Sequence, residues 1–359
     1  GEALKHLKIA LPSFKSLQYL YLDFDSSFNN SDEGLRHLKD GLTPLISLQY
    51  LSLNFHFCMY ITDEGLNHLK TALTSLTNLQ HLSLDFGHCY KVSSKGLSHL
   101  KTGLISVKYL QYLDLHFYHC DGILNDGLNH LKSALFSLTS LQDLSLDFRQ
   151  CNLSNVELTL LSDGLRSLTS LQRLLLNFER CAMISDEGLK QIKSALVPLT
   201  SLKYLHLNFS SCSKISSQGI EHLKDALLSL MSLRSLSLLL SGSMISDDGL
   251  NHLKTGLLTL IFLEELTLDF SLCDKISEKG LNHLKGALKS LQYLQKLSVD
   301  FDQCHKISPK AVNHLQGCLT VPIENSPVKG EYRLSPPPLK EGLINDFSHS
   351  YDEEYVPLG

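Results

Sequence analysis

The sequence predicts an α/β solenoid, a right-handed array of strand-and-helix units that stack into one extended domain. Ten segments of the 359-residue chain begin with leucine and follow one another at steps of 30 or 31 residues. The hydrophobic spacing within each segment changes from two residues to three and four. Hydrophobic residues make up 43% of the chain, which suits a large buried core. The segments begin at Leu17, Leu48, Leu79, Leu110, Leu141, Leu171, Leu202, Leu233, Leu263 and Leu294.

The first half of each unit is predicted to be a β-strand. In the unit LQHLSLDFGHCYKVSSKGLSHLKTGL, Leu82, Leu84 and Phe86 alternate with polar residues. This two-residue period is typical of a strand with one buried face. The polar residues of each strand are therefore expected to point outward.

The second half of each unit is predicted to be an amphipathic helix. Leu97, Leu100 and Leu104 recur at spacings of three and four, which places them on one helical face. A Ser or Thr precedes this stretch, as in Ser185-Asp186-Glu187-Gly188, and indicates an N-cap followed by carboxylates near the positive helix end. We expect irregularity in two units: the one from Leu141 is a residue short before its helix, and the one from Leu233 lacks its cysteine and has Ser241-Gly242-Ser243.

One unit cannot bury its leucines alone, so neighbouring units must stack strand beside strand and helix beside helix. The LxxLxL strand, followed by Cys and GLxHLxxALxxL, resembles the leucine-rich repeat, and it is most similar to the cysteine-containing and ribonuclease-inhibitor-like subtypes. The resemblance extends from about Leu4 to Leu319. It implies a horseshoe with parallel strands on the concave face and helices on the convex face. Residues 1–319 are predicted to form this domain, as a partial N-terminal unit plus ten repeats.

Eight of the nine cysteines occupy one position of the repeat, shortly after the strand. A metal or redox site would need paired spacing such as CxxC, which the sequence lacks, so we expect buried, reduced thiols and no metal. Reduced thiols, and first residues GEALKHLK that lack the apolar core of an export signal, favour a cytoplasmic location. The column consists of Cys58, Cys89, Cys120, Cys151, Cys181, Cys212, Cys273 and Cys304.

The outward strand residues are the candidate partner-binding residues, because the concave face of such a solenoid is where partners usually bind. Tyrosine offers apolar area with a polar tip, and aspartate selects cationic partners, so a basic protein or peptide would suit this face. An alternative is that Asp and Asn only keep the strand face solvated and hydrogen-bonded to one another. The candidates are Tyr19, Tyr21, Asp23, Tyr50, Asn54, His81, Asp85, Tyr112, Asp114, His116, Asp147 and Tyr204.

The sequence favours binding over catalysis. It contains no GxGxxG, GxxxxGK, HExxH or GxSxG motif, so neither a catalytic residue nor a cofactor is predicted. A net charge of -5 does not favour nucleic acid, and the lack of a long uncharged apolar run argues against a membrane span. The leading hypothesis is a non-enzymatic protein-interaction scaffold. The alternative is a structural component of a filament or larger assembly, built by end-to-end or tail-mediated contacts.

Residues 320–359 form a Pro-rich, acidic segment outside the repeats. Six of the ten prolines fall here, and seven acidic against three basic residues give the segment a net charge of -4. Leu339, Leu343, Ile344 and Phe347 are candidate apolar anchors. We expect the segment either to cover the last repeat as a cap or to bind a partner or a neighbouring chain, and the cap is favoured.

Overall fold

The structure, a computed structural model, describes residues 2–26, 31–124 and 126–316. The strands are β1 (Tyr19–Asp23), β2 (Tyr50–Asn54), β3 (His81–Asp85), β4 (Tyr112–His116), β5 (Asp143–Asp147), β6 (Arg173–Asn177), β7 (Tyr204–Asn208), β8 (Ser235–Leu239), β9 (Glu265–Asp269) and β10 (Lys296–Asp300). The α-helices are α1 (Glu2–Ala10), α2 (Asp32–Leu42), α3 (Asp63–Ser75), α4 (Ser94–Ser106), α5 (Asp126–Leu135), α6 (Asn155–Leu165), α7 (Asp186–Leu196), α8 (Ser217–Leu227), α9 (Asp247–Leu257), α10 (Glu278–Leu288) and α11 (Pro309–Gln316). Short 3-10 helices cover Leu11–Ser13 and Asp121–Ile123. The predicted cap, residues 320–359, lies outside the described residues.

All ten strands form a single parallel sheet in the order of the sequence. Equivalent residues of successive repeats pair without a shift, as in Leu51 with Leu82 and Leu82 with Leu113. Each helix packs against the helix of the next repeat. Parallel strands lie about 4.8 Å apart, whereas packed helices need about 8–10 Å, so the sheet lies on the concave side and the helices on the convex side. The predicted fold class is confirmed.

The core between the two layers contains a ladder of stacked phenylalanines. Phe86 lies 5.6 Å from Phe55 and 6.1 Å from Phe117, measured between ring centroids. The cysteine column lies beside it, and each thiol donates to a main-chain oxygen one repeat earlier. For Cys89 that oxygen belongs to Phe55, at 3.3 Å, and for Cys273 it belongs to Leu240 instead of a phenylalanine. All eight cysteines of the column are free and buried, as predicted. Burial raises the pKa of their thiols, to about 12 for Cys151.

The corner after every strand contains a left-handed residue, and after eight of the ten strands it also contains an Asx turn. The side chain at the last strand position accepts a hydrogen bond from the backbone N–H two residues later, as between Asp85 and Gly87 at 2.8 Å. A residue with φ near +60° follows in every repeat, for example His88 at 59°. Non-glycine residues adopt this region at a cost of about 1 kcal/mol, which the surrounding ladder must offset. The Asx turns are made by Asp23, Asn54, Asp85, Asp147, Asn177, Asn208, Asp269 and Asp300.

The unit from Leu233 keeps this corner despite its different sequence. Gly242 has φ of 69° and donates its N–H to the oxygen of Ser271, as the equivalent residues of other repeats do. Ser243 occupies the position of the missing cysteine and lies buried 3.4 Å from Cys273 Sγ. This unit therefore differs from the others in its side chains, while its backbone follows the same path.

The predicted N-cap residues also join neighbouring repeats. Ser93 caps α4, and its N–H and hydroxyl both donate to Asp63 of the preceding helix, at 2.7 and 2.6 Å. The N–H of Gly96 donates to the same carboxylate at 2.9 Å. Ser185 caps α7 without a side-chain bond to its own helix. Asn155 of the preceding helix holds it: Asn155 Oδ1 accepts from the N–H of Ser185, and Asn155 Nδ2 donates to the Ser185 hydroxyl. Each acidic first helical residue of this kind therefore stabilises the interface between two repeats.

Candidate interaction surface

The twelve predicted partner-binding residues all lie on the concave face, at the first, third or fifth positions of their strands. Residues at the second and fourth positions point into the core, as Leu82 and Leu84 do. The first-position column runs from Tyr19 through Tyr50, His81 and Tyr112 toward Tyr204. The predicted direction of these side chains is thus correct, although their exposure differs greatly along the sheet.

The face is open at β1 and β2. Tyr19 and Tyr21 are 48% and 60% exposed, and Asp23 is exposed beside them. The hydroxyl of Tyr21 donates to Asp23 Oδ2 at 3.1 Å. The ring of Tyr19 lies 6.1 Å from that of half-buried Tyr50 and is tilted against it. This end therefore presents aromatic rings and a carboxylate together on the surface.

The same face is closed from β3 to β5. The rings of His81 and Tyr112 stack with centroids 3.4 Å apart, and Tyr50 stacks on the other side of His81 at 4.4 Å. Burial lowers the pKa of His81 to about 4, so its ring is neutral. Six predicted binding residues are almost fully covered by one another and by their neighbours, which the sequence did not indicate. They are His81, Asp85, Tyr112, Asp114, His116 and Asp147.

A buried ion cluster lies at the centre of the closed part. His116 Nε2 lies 2.7 Å from Asp114 Oδ1, and His116 Nδ1 lies 3.7 Å from Asp85 and 3.9 Å from Asp147. Burial alone would lower the pKa of His116, but the three carboxylates raise it to about 9, so the ring is an imidazolium. Ser83 also donates to Asp114, at 3.0 Å. His116 thus neutralises charge inside the sheet face and is not free to meet a partner.

The aspartate and asparagine column has a structural role in the corners. Eight of its members accept a backbone N–H in the Asx turns described above, including Asp23, Asn54, Asp85 and Asp147 of the predicted set. His116 and Leu239 are the two strand-end residues that depart from Asp or Asn. Hydrogen bonds to the backbone of the same corner therefore account for most of the column, in place of the mutual hydrogen bonds that the alternative interpretation expected.

Paired charges dominate the rest of the face. Arg173 lies over the ring of Tyr204 at 4.8 Å and 3.8 Å from Asp143. Burial raises the pKa of Asp143. Lys296 pairs with Glu265 at 2.6 Å. Toward the C-terminal repeats the charges therefore alternate and largely compensate one another.

An aromatic cluster that sequence reasoning missed lies at the carboxyl ends of β2 to β5. His88 stacks on Phe57 with centroids 4.0 Å apart and meets Tyr118 edge-on at 4.5 Å. Arg149 lies over Tyr118 at 5.0 Å. The signal was the pair of residues preceding each corner cysteine, which reads His-Phe, Gly-His, Tyr-His and Arg-Gln in successive units. Within the described part of the chain no group of three His, Cys, Asp or Glu side chains is arranged to hold a metal ion.

Membrane insertion has no support among the described helices, since none combines the length and apolar character that a crossing requires.

Comparisons with known proteins find distant structural likeness only. No protein-family model matches the chain, and no curated protein does. The chain is similar to the crystal structure of the Rad7 and Elc1 complex in yeast, with 17% identity, 86% of this chain and 83% of that chain covered, and a TM-score of 0.38. It is also similar to the leucine-rich repeat protein LIC12759 of Leptospira interrogans, with 18% identity, 88% and 85% covered, and a TM-score of 0.37. Ten repeats of LxxLxL type, which contribute ten parallel strands alternating with helices, give the chain the fold of a leucine-rich repeat solenoid.

Proposed function

We propose that the protein is a non-enzymatic interaction scaffold that binds a protein or peptide at the open end of its concave face. The observation that carries the proposal is the exposure of Tyr19 and Tyr21 at one end of a face on which His81 and Tyr112 are buried. Tyrosine rings held on a rigid sheet contribute contact area with little loss of side-chain entropy on binding. Tyr19, Tyr21 and Tyr50 are the proposed contact residues.

The partner segment is proposed to be basic. Asp23 and Asp25 lie together at the exposed end of β1, where the N–H of Asp25 donates to Asp23 Oδ1 at 2.9 Å. His56 adds a ring 3.5 Å from Asp25. Two carboxylates beside tyrosine rings attract Lys or Arg side chains, which can pair with the charge and stack on the ring.

The buried members of the predicted set are proposed to support this surface without touching the partner. Tyr112, Asp114 and His116 are held by stacking and ion pairs within the sheet. They keep the neighbouring strands in register and so fix the positions of Tyr50 and Asn54. No catalytic role is assigned to His116, because its ring is covered and both of its nitrogens face carboxylates.

Tyrosine replacement tests this proposal. In Tyr19→Ala/Tyr21→Ala, we expect loss of the proteins that the wild type retains in affinity purification, while the fold remains. Tyr60→Ala is the matched control, because Tyr60 is 56% exposed but lies in the loop between β2 and α3, outside the strands of the concave face. The control should retain the partners. If the double variant retained the same proteins as the wild type, the proposal that the concave face binds the partner would be contradicted.

We also propose that the scaffold works in a reducing compartment, in agreement with a cytoplasmic location. Each thiol of the cysteine column donates to a carbonyl oxygen, as Cys120 does to Phe86 at 3.1 Å, and that geometry leaves the thiols unpaired. Thiol counting on the unfolded, unreduced protein should find nine free thiols. Two or more protected pairs would contradict this location.

A further inference from the structure

An exposed apolar surface lies at the edge where α8 to α10 end and lead into the following strands. Met231 is 63% exposed and Tyr293 is 57% exposed. The rings of Phe262 and Tyr293 lie 6.0 Å apart, so the surface is continuous across two repeats. We call this surface the apolar rim; it consists of Leu228, Met231, Leu258, Ile261, Phe262 and Tyr293.

The fold itself does not require apolar residues at these positions. The equivalent pair in the three preceding units is Thr-Ser, at residues 139–140, 169–170 and 200–201. In the next units the pair reads Met231-Ser232, Ile261-Phe262 and Gln292-Tyr293. The earlier units show that polar residues serve equally well in this loop. Clustered apolar exposure that the fold does not need indicates a surface that something covers.

The chain's own C-terminal segment leaves the solenoid next to this surface. The N-terminal ends of α10 and α11 lie together, since the hydroxyl of Ser308 donates to Glu278 at 2.7 Å. Leu315 is buried and Lys285 lines the same cleft between the two helices, so α11 runs parallel to α10. By the repeat, Gln316 is equivalent to Lys285, one helical turn before the level at which α10 ends. The described chain therefore ends at Gln316, beside the last turn of α10 and close to the apolar rim.

We propose that residues 339–347 bind the apolar rim within the same molecule. Leu339, Leu343, Ile344 and Phe347 are spaced so that they share one face of a helix, and four apolar side chains match a surface of similar extent. The 22 residues from 317 to 338 reach up to about 70 Å when extended. The rim crosses three helices, α8 to α10, or about 20 Å between the outer helix axes.

Tethering and charge both favour this occupant over a separate chain. Residues 317–338 join the segment to the solenoid, so its binding is intramolecular and modest contacts suffice. Arg234 lies over the ring of Phe262 at 5.0 Å, and its backbone N–H donates to the main-chain oxygen of Lys203. Lys289 directly follows α10, and the nearby carboxylates of Glu264 and Glu265 are paired with Arg234 and Lys296. The segment carries a net charge of -4, including Glu341 and Asp346 among the anchors. The excess positive charge of the rim complements it.

Photo-crosslinking in the full chain tests the proposal. With p-benzoylphenylalanine in place of Phe347, we expect crosslinks within one molecule to peptides that contain Met231, Ile261 or Phe262. Met231→Thr/Ile261→Thr/Phe262→Ser should reduce the yield to background, because it restores the polar pair of the earlier units and should therefore fold normally. Crosslinks to another surface, crosslinks that survive the rim variant, or none at all would overturn the proposal. Crosslinks between different chains, with a yield that rises with protein concentration, would also overturn it and would indicate that a second copy of the chain binds the rim.

A second measurement keeps the proposal testable if the rim variant fails to fold. Leu343→Asp/Phe347→Asp alters only the segment, which lies outside the repeats. Displacement of the segment should raise binding of a hydrophobic dye to the full chain, as the rim becomes exposed. Unchanged dye binding in this variant, with the circular dichroism spectrum of the wild type, would contradict the proposal.

Discussion

Two tyrosines of the first-position column, Tyr19 in β1 and Tyr112 in β4, differ in exposure although both side chains face outward. Tyr112 is 6% exposed, with the ring of His81 stacked 3.4 Å away and Asp143 on the next strand. Tyr19 is largely open, because its only described ring contact is tilted and 6.1 Å distant. In a parallel sheet with strands about 4.8 Å apart, neighbouring side chains can cover one another completely. Outward direction therefore does not establish that a residue can meet a partner.

The largest effect should come from removing the cation of the closed region. His116→Ala leaves Asp114, Asp85 and Asp147 buried without their shared counter-ion, and we expect unfolding to become easier by about 3–5 kcal/mol. Asn54→Ala, in the same column but without an ion cluster, should cost only about 1 kcal/mol for its lost Asx turn. Urea denaturation of both variants checks this. Equal losses would show that His116 is an ordinary corner residue.

The pH dependence of stability should reveal the same cluster. The folded pKa of His116 is about 9, above the value of about 6.5 for an unfolded histidine, so its contribution is full below pH 6.5 and is lost as pH rises through 9. We expect the free energy of unfolding to fall by about 3 kcal/mol over that range. Unfolded thiols have a pKa of about 8.5 and begin to ionise about one pH unit below it, so the slope between pH 6.5 and about 7.5 is the diagnostic part. His116→Ala should lack it; an unchanged slope would assign it to other groups.

His81 should act in the opposite direction. Its folded pKa of about 4 lies below the unfolded value, so its contribution to stability is present above pH 6.5 and is lost as pH falls through 4. Chemical denaturation between pH 4 and 6.5 should show this decline in the wild type and a weaker one in His81→Phe. The phenylalanine ring preserves the stack between Tyr50 and Tyr112 and cannot be protonated. An identical acid slope in both proteins would contradict this interpretation.

A smaller effect is expected at the interface between repeats. Asp63→Ala removes three hydrogen bonds to Ser93 and Gly96, and should cost about 2 kcal/mol of unfolding free energy. Asp63→Asn should cost less, because Asn155 already holds Ser185 in the same manner. Thermal and urea unfolding of the two variants checks the order. A larger loss of unfolding free energy in the asparagine variant would contradict the role of Asp63 as the acceptor that joins the two repeats.

The repeat in the sequence predicted the fold and showed which residues lie side by side on neighbouring strands. It did not predict which side chains of the concave face are buried. Steps of 30 or 31 residues already place His116 between Asp85 and Asp147 in one column. The sequence could not show that the ring turns toward Asp114 or that stacked neighbours exclude water, because these depend on side-chain rotamers. It also left the role of the aspartates open, since an Asx turn is recognised only once the corner geometry is known.

Hydroxyl-radical footprinting of the free, full-length protein tests the central claim most directly, because it compares tyrosines of equal intrinsic reactivity in one experiment. The account predicts rapid modification of Tyr19 and Tyr21 and strong protection of Tyr112, with His116 protected as well. If Tyr112 and His116 were modified as fast as Tyr21, the concave face would be open along its whole length, and the distinction between an interaction end and a buried centre would be wrong.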